Sequence, residues 1–246
     1  MGSYSCKQVV AQSAWPNSAC SRAAPSVSAA HAFTRCHSAR SASTGSGVEK
    51  RRCPGGPGMK REDLEHIIRA AADITNEYEF VVVGSQSILG PIPNPPAVFT
   101  MSAEADIYPL NATHKADAID AAIGEGSRFH ETYGYYAQGV GPETACLPAG
   151  WESRLQRIQT AGTNGRVGYC LDLVDLFMAK AAADRDKDRV FCMALIQHGY
   201  VLPRTAISRV DDMPIDRAAQ GRLRARIKRW TKALLDQGHA TPADDA

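Results

Sequence analysis

Phe80 to Val83 is an unbroken aromatic and β-branched run closed at once by Gly84-Ser85. A run that short and that apolar reads as a buried strand ending in a tight turn. Ala105 to Tyr108 reads as the next strand, and the stretch between them holds Pro91, Pro93, Pro95 and Pro96, a density that excludes helix or central strand. A buried strand needs cover. Upstream, Leu64, Ile67, Ile68, Ala71 and Ile74 recur at helical spacing in a segment that ends before Tyr78, so an amphipathic helix feeds directly into the first strand. The chain is thereby committed to an α/β (α+β) fold, a small mixed sheet flanked by helices.

Glu104 and Asp106 stand at the entrance of the second strand. Side chains two apart on a strand point to the same face, so both carboxylates can address one divalent cation. Two-metal phosphoryl transfer uses such pairs around an in-line displacement, with the ions about 3.5–4 Å apart. No Walker loop, Gly-x-Gly-x-x-Gly fingerprint, His-Glu-x-x-His or Gly-x-Ser-x-Gly signature competes, because the glycine, histidine and serine spacings do not fit them.

A strand, then Gly84-Ser85, then the Glu104/Asp106 pair on a neighbouring strand resembles the nucleotidyltransferase superfamily. In particular it is similar to the bacterial branch that includes toxins of abortive-infection toxin–antitoxin systems. Asp172-Leu-Val-Asp-Leu-Phe-Met-Ala-Lys180, followed by Arg185-Asp-Lys-Asp188, resembles the downstream helix of that branch with its lysine and Lys-Asp pair. The resemblance spans roughly residues 60 to 199. It implies transfer of an NMP group from an NTP to an RNA or protein hydroxyl, with tRNA or protein as acceptor and an antitoxin protein as partner. It further implies Mg²⁺ (or Mn²⁺) held by the catalytic carboxylates Glu104 and Asp106. Gly84, Ser85, Lys180, Arg185 and Lys187 would form the nucleotide-binding set. The alternative within the same fold is a catalytically inactive relative that binds nucleotide or a partner. Glu104 stands where the wider superfamily usually has Asp, and for a third carboxylate the sequence offers only Glu143 and Asp172.

Net charge has to be divided before it is used. Seven of the 28 Lys and Arg but one of the 26 Asp and Glu lie in residues 1–58, so the remainder carries 21 basic against 25 acidic side chains, net −4. The overall +2 therefore does not announce a nucleic-acid-binding surface. Residues 1–58 are rich in Ser, Ala, Gly, Pro and Arg without a hydrophobic period and read as a disordered extension. Met59 then begins the functional part, residues 59–200 form the nucleotidyltransferase-like domain and residues 201–246 a C-terminal helical segment. The same composition also suits an organellar transit peptide. No apolar run reaches the roughly 18 residues of a membrane span, and the expectation is a soluble cytoplasmic protein. A chain begun at Met59 is expected to melt at an unchanged temperature; a drop of several degrees in a thermal scan would show that the extension packs on the domain.

Cys6, Cys20, Cys36 and Cys53 form no Cys-x-x-Cys knuckle, and Cys146, Cys170 and Cys192 lie in apolar contexts that suit small core residues. The Pro-rich loop is read as lying over the site or as a plain surface connection. Thr113 is expected to cap a helix whose apolar stripe is Ala118, Ile119, Ala122 and Ile123, with Gly124 and Gly126 beyond it. Tyr133 to Val140 reads as a strand that Thr144 to Leu147 continues, while residues 151–158 stay unassigned. Val167 to Leu171 reads as a strand, with Asp172 capping the next helix and Asp175 completing a variant capping box. On that helix Leu173, Leu176, Phe177 and Ala181 share a stripe with Lys180. A lysine there either snorkels to solvent or meets an anion. A second helix follows to Gly199, and a long basic helix from Asp216 to Leu235 buries Ile215, Ala219, Leu223, Ile227, Trp230 and Leu234. Its basic face suits RNA phosphates, a partner, or plain solvation.

Overall fold

A computed structural model describes residues 58–238; the readings for residues 1–57 and for the polar C-terminal end lie outside them. Twelve regular elements occur in the order α1 (Arg61–Thr75), β1 (Glu79–Val83), β2 (Glu104–Pro109), α2 (Ala116–Ile123), α3 (Arg128–Tyr133), β3 (Tyr136–Gly139), β4 (Gln156–Ile158), β5 (Val167–Cys170), α4 (Leu173–Ala183), α5 (Asp186–Gln197), α6 (Pro203–Arg209) and α7 (Arg217–Asp236), with short 3₁₀ turns between them. The strands make one mixed sheet in the order β3-β2-β1-β5-β4. β1 lies at its centre, antiparallel to β2 and parallel to β5. Phe80 to Val83 are all buried, as a central strand covered on both faces requires.

α1 packs Leu64, Ile67, Ile68 and Ala71 into the core, four of the five positions read from its periodicity, with Ile74 half-buried against it. Leu173, Ile215 and Ala219, read on the α4 and α7 stripes, are only half-buried; those helices bury Leu176, Phe177 and Ala181 and Leu223, Ile227, Trp230 and Leu234. All these buried side chains join one continuous apolar cluster, which also takes in Val201, Ala206 and Val210 around α6. Burial of that many aliphatic and aromatic groups, about 1.5–3 kcal/mol each, offsets the chain entropy of a fold this size.

Several local readings are corrected. Thr113 opens a 3₁₀ turn, Thr113–Lys115, and contributes no cap to α2. The buried stripe of α2 is Ala116, Ile119 and Ile123, whereas Ala118 and Ala122 are exposed. Tyr133 ends a helix instead of starting a strand. Ser127 Oγ accepts from His130 N at 3.2 Å to cap α3, Gly134 at φ 81° stops it, and Phe129 and Tyr133 pack their rings on His66 of α1. Local capping and a ring cluster thus override the β-propensity of the aromatics. Residues 142–144 form a 3₁₀ turn, and 144–147 join no strand.

The short edge strand β4 is exposed at Gln156 and Arg157, so its sequence shows no apolar run; only Ile158 reaches the core. The Pro-rich loop does not cover the main cleft. Arg61 Nη1 donates to the carbonyls of Leu89 and Gly90 and ties the chain entering the loop to the start of α1. Pro93 and Pro95 there line a separate hollow with Met59 and Leu89. No helix among the described residues is long and apolar enough to cross a membrane.

Candidate functional site

The C-terminal end of β1 and the start of β2 meet at the sheet's centre, where Val83 pairs with Asp106. Gly84 follows with φ +68°, a conformation an L side chain rarely adopts. A Cβ at this position would stand 1.9 Å from Asp106 Oδ2. Glycine is required twice over, once by the backbone and once by the carboxylate lying across it. The turn then winds into a 3₁₀ segment, Ser85–Leu89, that buries Ile88 and Leu89 and leaves Ser85 at its head.

Glu104 and Asp106 share a face of β2, as their spacing requires. Tyr136 on β3 donates its hydroxyl to Glu104 Oε2 at 3.2 Å, and Gln138 is the residue paired with Asp106. Burial, then the charge and hydrogen bond of Glu104, push the Asp106 carboxyl up to about 7; Lys180 and Lys187 pull it the other way. Two carboxylates that close, one of them largely buried, repel when both are ionised. The same burial and the Glu104 charge push the Tyr136 phenol up to about 12.

Lys180 comes from α4 and is only 7% exposed. It does not snorkel. Its Nζ donates to Ser85 Oγ at 2.7 Å and lies 3.2 Å from Asp188 Oδ1, with the Phe191 ring 5.3 Å away. Asp188, 1% exposed in the first turn of α5, also accepts from Arg185 Nε at 2.6 Å. A buried carboxylate bridging two cations fixes the lysine that reaches the glycine-serine turn. Asp188 is a functional candidate that the sequence showed only as half of a Lys-Asp pair in a charged turn.

The structure gathers all seven residues singled out from the sequence, Gly84, Ser85, Glu104, Asp106, Lys180, Arg185 and Lys187, along one cleft of about 1400 Å³. Glu143 lies on its rim, whereas Asp172 is occupied in capping α4 through Val174 N at 2.9 Å. Asp175 makes no capping box. Its carboxylate takes a bidentate pair of hydrogen bonds from Arg154, at 2.7 and 3.0 Å, because its side chain is buried and needs a cation. Cys170 and Cys192 are buried thiols, the first pushed up to about 12 by desolvation, and they serve the core. Cys146, half-buried, lines the cleft.

The opposite wall of the cleft was not legible from the sequence. It is supplied by α7 and the residues leading into it, among them Ile215, Ala219, Arg222, Leu223 and Arg226. Arg226 donates to the carbonyl of Ala181 and pairs with Asp184, which closes α4 in the left-handed conformation at φ 55°. The basic helix is therefore fastened to the turn that carries Arg185 and Lys187.

Among the described residues no group of three or more His, Cys, Asp or Glu side chains gathers as a metal cluster. The Glu104/Asp106 pair nevertheless fits a hard divalent cation: both offer carboxylate oxygen, they face each other closely enough to raise the Asp106 carboxyl, and Gly84 leaves Asp106 Oδ2 uncovered by any Cβ. No curated protein and no solved structure matches the chain. A family model described as a nucleotidyltransferase of unknown function (DUF6036) matches residues 62–220. That span is more than half of the chain and contains β1, β2, α4 and α5 with all seven candidate residues; on this match the chain belongs to that nucleotidyltransferase family.

Proposed function

We propose that the protein transfers an NMP group from an NTP to a hydroxyl of an RNA or protein acceptor, using a divalent cation. The observation that carries this reading is the meeting of the Glu104/Asp106 pair with the Gly84-Ser85 turn and the buried Lys180 in one cleft. Glu104 and Asp106 would hold Mg²⁺ or Mn²⁺, which when bound screens the developing negative charge on the phosphoryl oxygens. Ser85 and Lys180 form a fixed donor pair for phosphate oxygens, with Lys187 and Arg185 at the cleft's basic edge. In the reaction the acceptor hydroxyl loses its proton to solvent as its oxygen bonds to the α-phosphorus, the bond from that phosphorus to the oxygen bridging to the β-phosphate breaks, and pyrophosphate leaves carrying the negative charge these cations neutralise. A 1400 Å³ cleft exceeds the roughly 300–1,000 Å³ of ordinary ligand pockets, which leaves room for an acceptor beside the nucleotide.

A second reading, nucleotide binding without turnover, is favoured by one position: the strand neighbour of Asp106 is the neutral Gln138 instead of a third carboxylate. Incubating the full chain with each α-³²P-labelled NTP, Mg²⁺, total RNA and protein separates the two. The transferase reading expects label on an RNA or protein band that is lost with EDTA, and nucleotide binding without any labelled product sustains the second reading instead. The resemblance to the toxin branch adds that induced expression of an active chain arrests growth, relieved by a cognate antitoxin.

A further inference from the structure

The cleft's cations are not equivalent. Lys180 and Arg185 both pair with Asp188, and Arg226 pairs with Asp184. Lys187 and Arg222 line the same cleft, are exposed, and make no ion pair or hydrogen bond among the described residues. They approach it from different elements, Lys187 from the first turn of α5 and Arg222 from the first half of α7.

Arg222 is aimed into the cleft by its neighbours. Leu223, 2% exposed, anchors this turn of α7 in the core, and Arg226, one turn on along the same face, is fastened to Ala181 O and Asp184. Ala219, one turn back, lines the cleft with a methyl group only. Two guanidinium groups four residues apart on one helix face repel; the pKa of Arg226 is lowered chiefly by its burial, with the Arg229 and then the Arg222 charge adding to it. Arg226 already has Asp184 and the Ala181 carbonyl, so Arg222 is the cation of this wall left for an anionic ligand to complete. The family match ends at residue 220, so Arg222 is a contribution of this chain beyond the matched region.

Resting on the nucleotidyl-transfer reading, we infer that Arg222, with Lys187, holds the β- and γ-phosphates of the bound NTP, so that α7 completes the donor site and orients pyrophosphate as the leaving group. Arg222 is thereby a residue that tells nucleoside triphosphate from nucleoside monophosphate. Ser85 and Lys180 lie beside the carboxylates where the α-phosphate reacts; the two unpaired cations serve the far end of the polyphosphate.

The test is calorimetric titration of the full chain with Mg²⁺ and each of the four ribonucleoside triphosphates, the corresponding monophosphates, and inorganic tripolyphosphate. R222Q is expected to weaken NTP and tripolyphosphate binding by about tenfold or more, the value of a lost charge-assisted hydrogen bond, with NMP affinity within twofold of wild type. R222K should recover part of the loss, and R222Q/K187Q should lose more than either single change. R229Q, on α7 but outside the cleft, should bind all three like wild type. If R222Q leaves NTP affinity unaltered, weakens NTP and NMP equally, or is matched by R229Q, the inference is overturned while the nucleotidyl-transfer reading stands. Absence of NTP binding by the wild type overturns both.

Discussion

E104Q/D106N is expected to abolish NMP transfer, by at least about 10³-fold, and with it the response of thermal stability to metal and nucleotide. Without carboxylates the cleft offers no anionic ligand pair for the cation, and loss of several kcal/mol of charge stabilisation at the phosphoryl group corresponds to a loss of that size. In the wild type, Mg²⁺ with NTP at about 100 times Kd binds only the native state and adds about 2.7 kcal/mol. For a domain of this size that raises Tm by roughly 5–10 °C. The double amide should show no increment.

Metal-free stability carries a further signature. The Asp106 carboxyl is held at about 7 in the fold against 3.8 as its ordinary value. Between about pH 4 and 7 the native chain therefore keeps a proton that the unfolded chain has released. Stability contributed by that proton is present below pH 4 and is lost as pH rises through 7. The loss is on the order of 2 kcal/mol, less than full linkage would give because the carboxyl keeps some solvent contact. D106N should remove this slope, and saturating Mg²⁺ should flatten it by favouring the ionised pair. Metal-free E104Q/D106N should consequently melt no lower than wild type at pH 7. A markedly less stable double amide would mean that basic side chains hold the pair as an internal salt-bridge network, and the transferase reading would lose its main support.

K180M is expected to separate a structural from a functional lysine. Methionine suits the apolar stripe of α4, but the structure adds a cost that the stripe alone does not reveal. Removing the ammonium leaves Asp188, 1% exposed, with Arg185 alone, whose side chain is 59% exposed. Breaking a buried pair costs about 3–5 kcal/mol, and the surviving Arg185 contact should reduce this to about 2 kcal/mol, or roughly 4–8 °C in Tm. K180M/D188N should recover part of that loss, since the orphaned charge is gone. In either variant, at a temperature where it is folded, NTP affinity should fall by about 10- to 100-fold, the 1.5–3 kcal/mol of a charge-assisted hydrogen bond. Unchanged affinity in folded K180M would leave Lys180 only the structural task of holding Asp188 and Ser85 together. Unchanged stability would show that Arg185 alone satisfies Asp188.

What the sequence determined by itself was the part of the fold where one short-range pattern stood unopposed. The Phe80–Val83 strand, the glycine turn, the two carboxylates on one face of β2, and the stripes of α1, α4 and α7 follow from side-chain alternation and helical period, which do not need a partner to be read. Where local signals competed, the sequence was ambiguous. The aromatics at 133–136 have strand propensity, yet the Ser127 cap and the His66 ring cluster made the first of them end a helix. Thr113 and Asp175 looked like caps, but Asp175 was claimed by Arg154, 21 residues away in the chain.

Only the tertiary structure could decide the cleft's second wall and the state of Lys180. Both depend on contacts far apart in sequence: Lys180 with Ser85 across 95 positions and Arg226 with Ala181 across 45. A lysine on an apolar stripe reads the same whether it snorkels or is buried with a counter-ion, because the charge that settles the matter, Asp188, is brought to it by the packing of α5 on α4. A basic helix likewise reads as solvated until Leu223, Ile227 and Trp230 fix its rotation and thereby choose which of its arginines, Arg222 and Arg226, line the cleft.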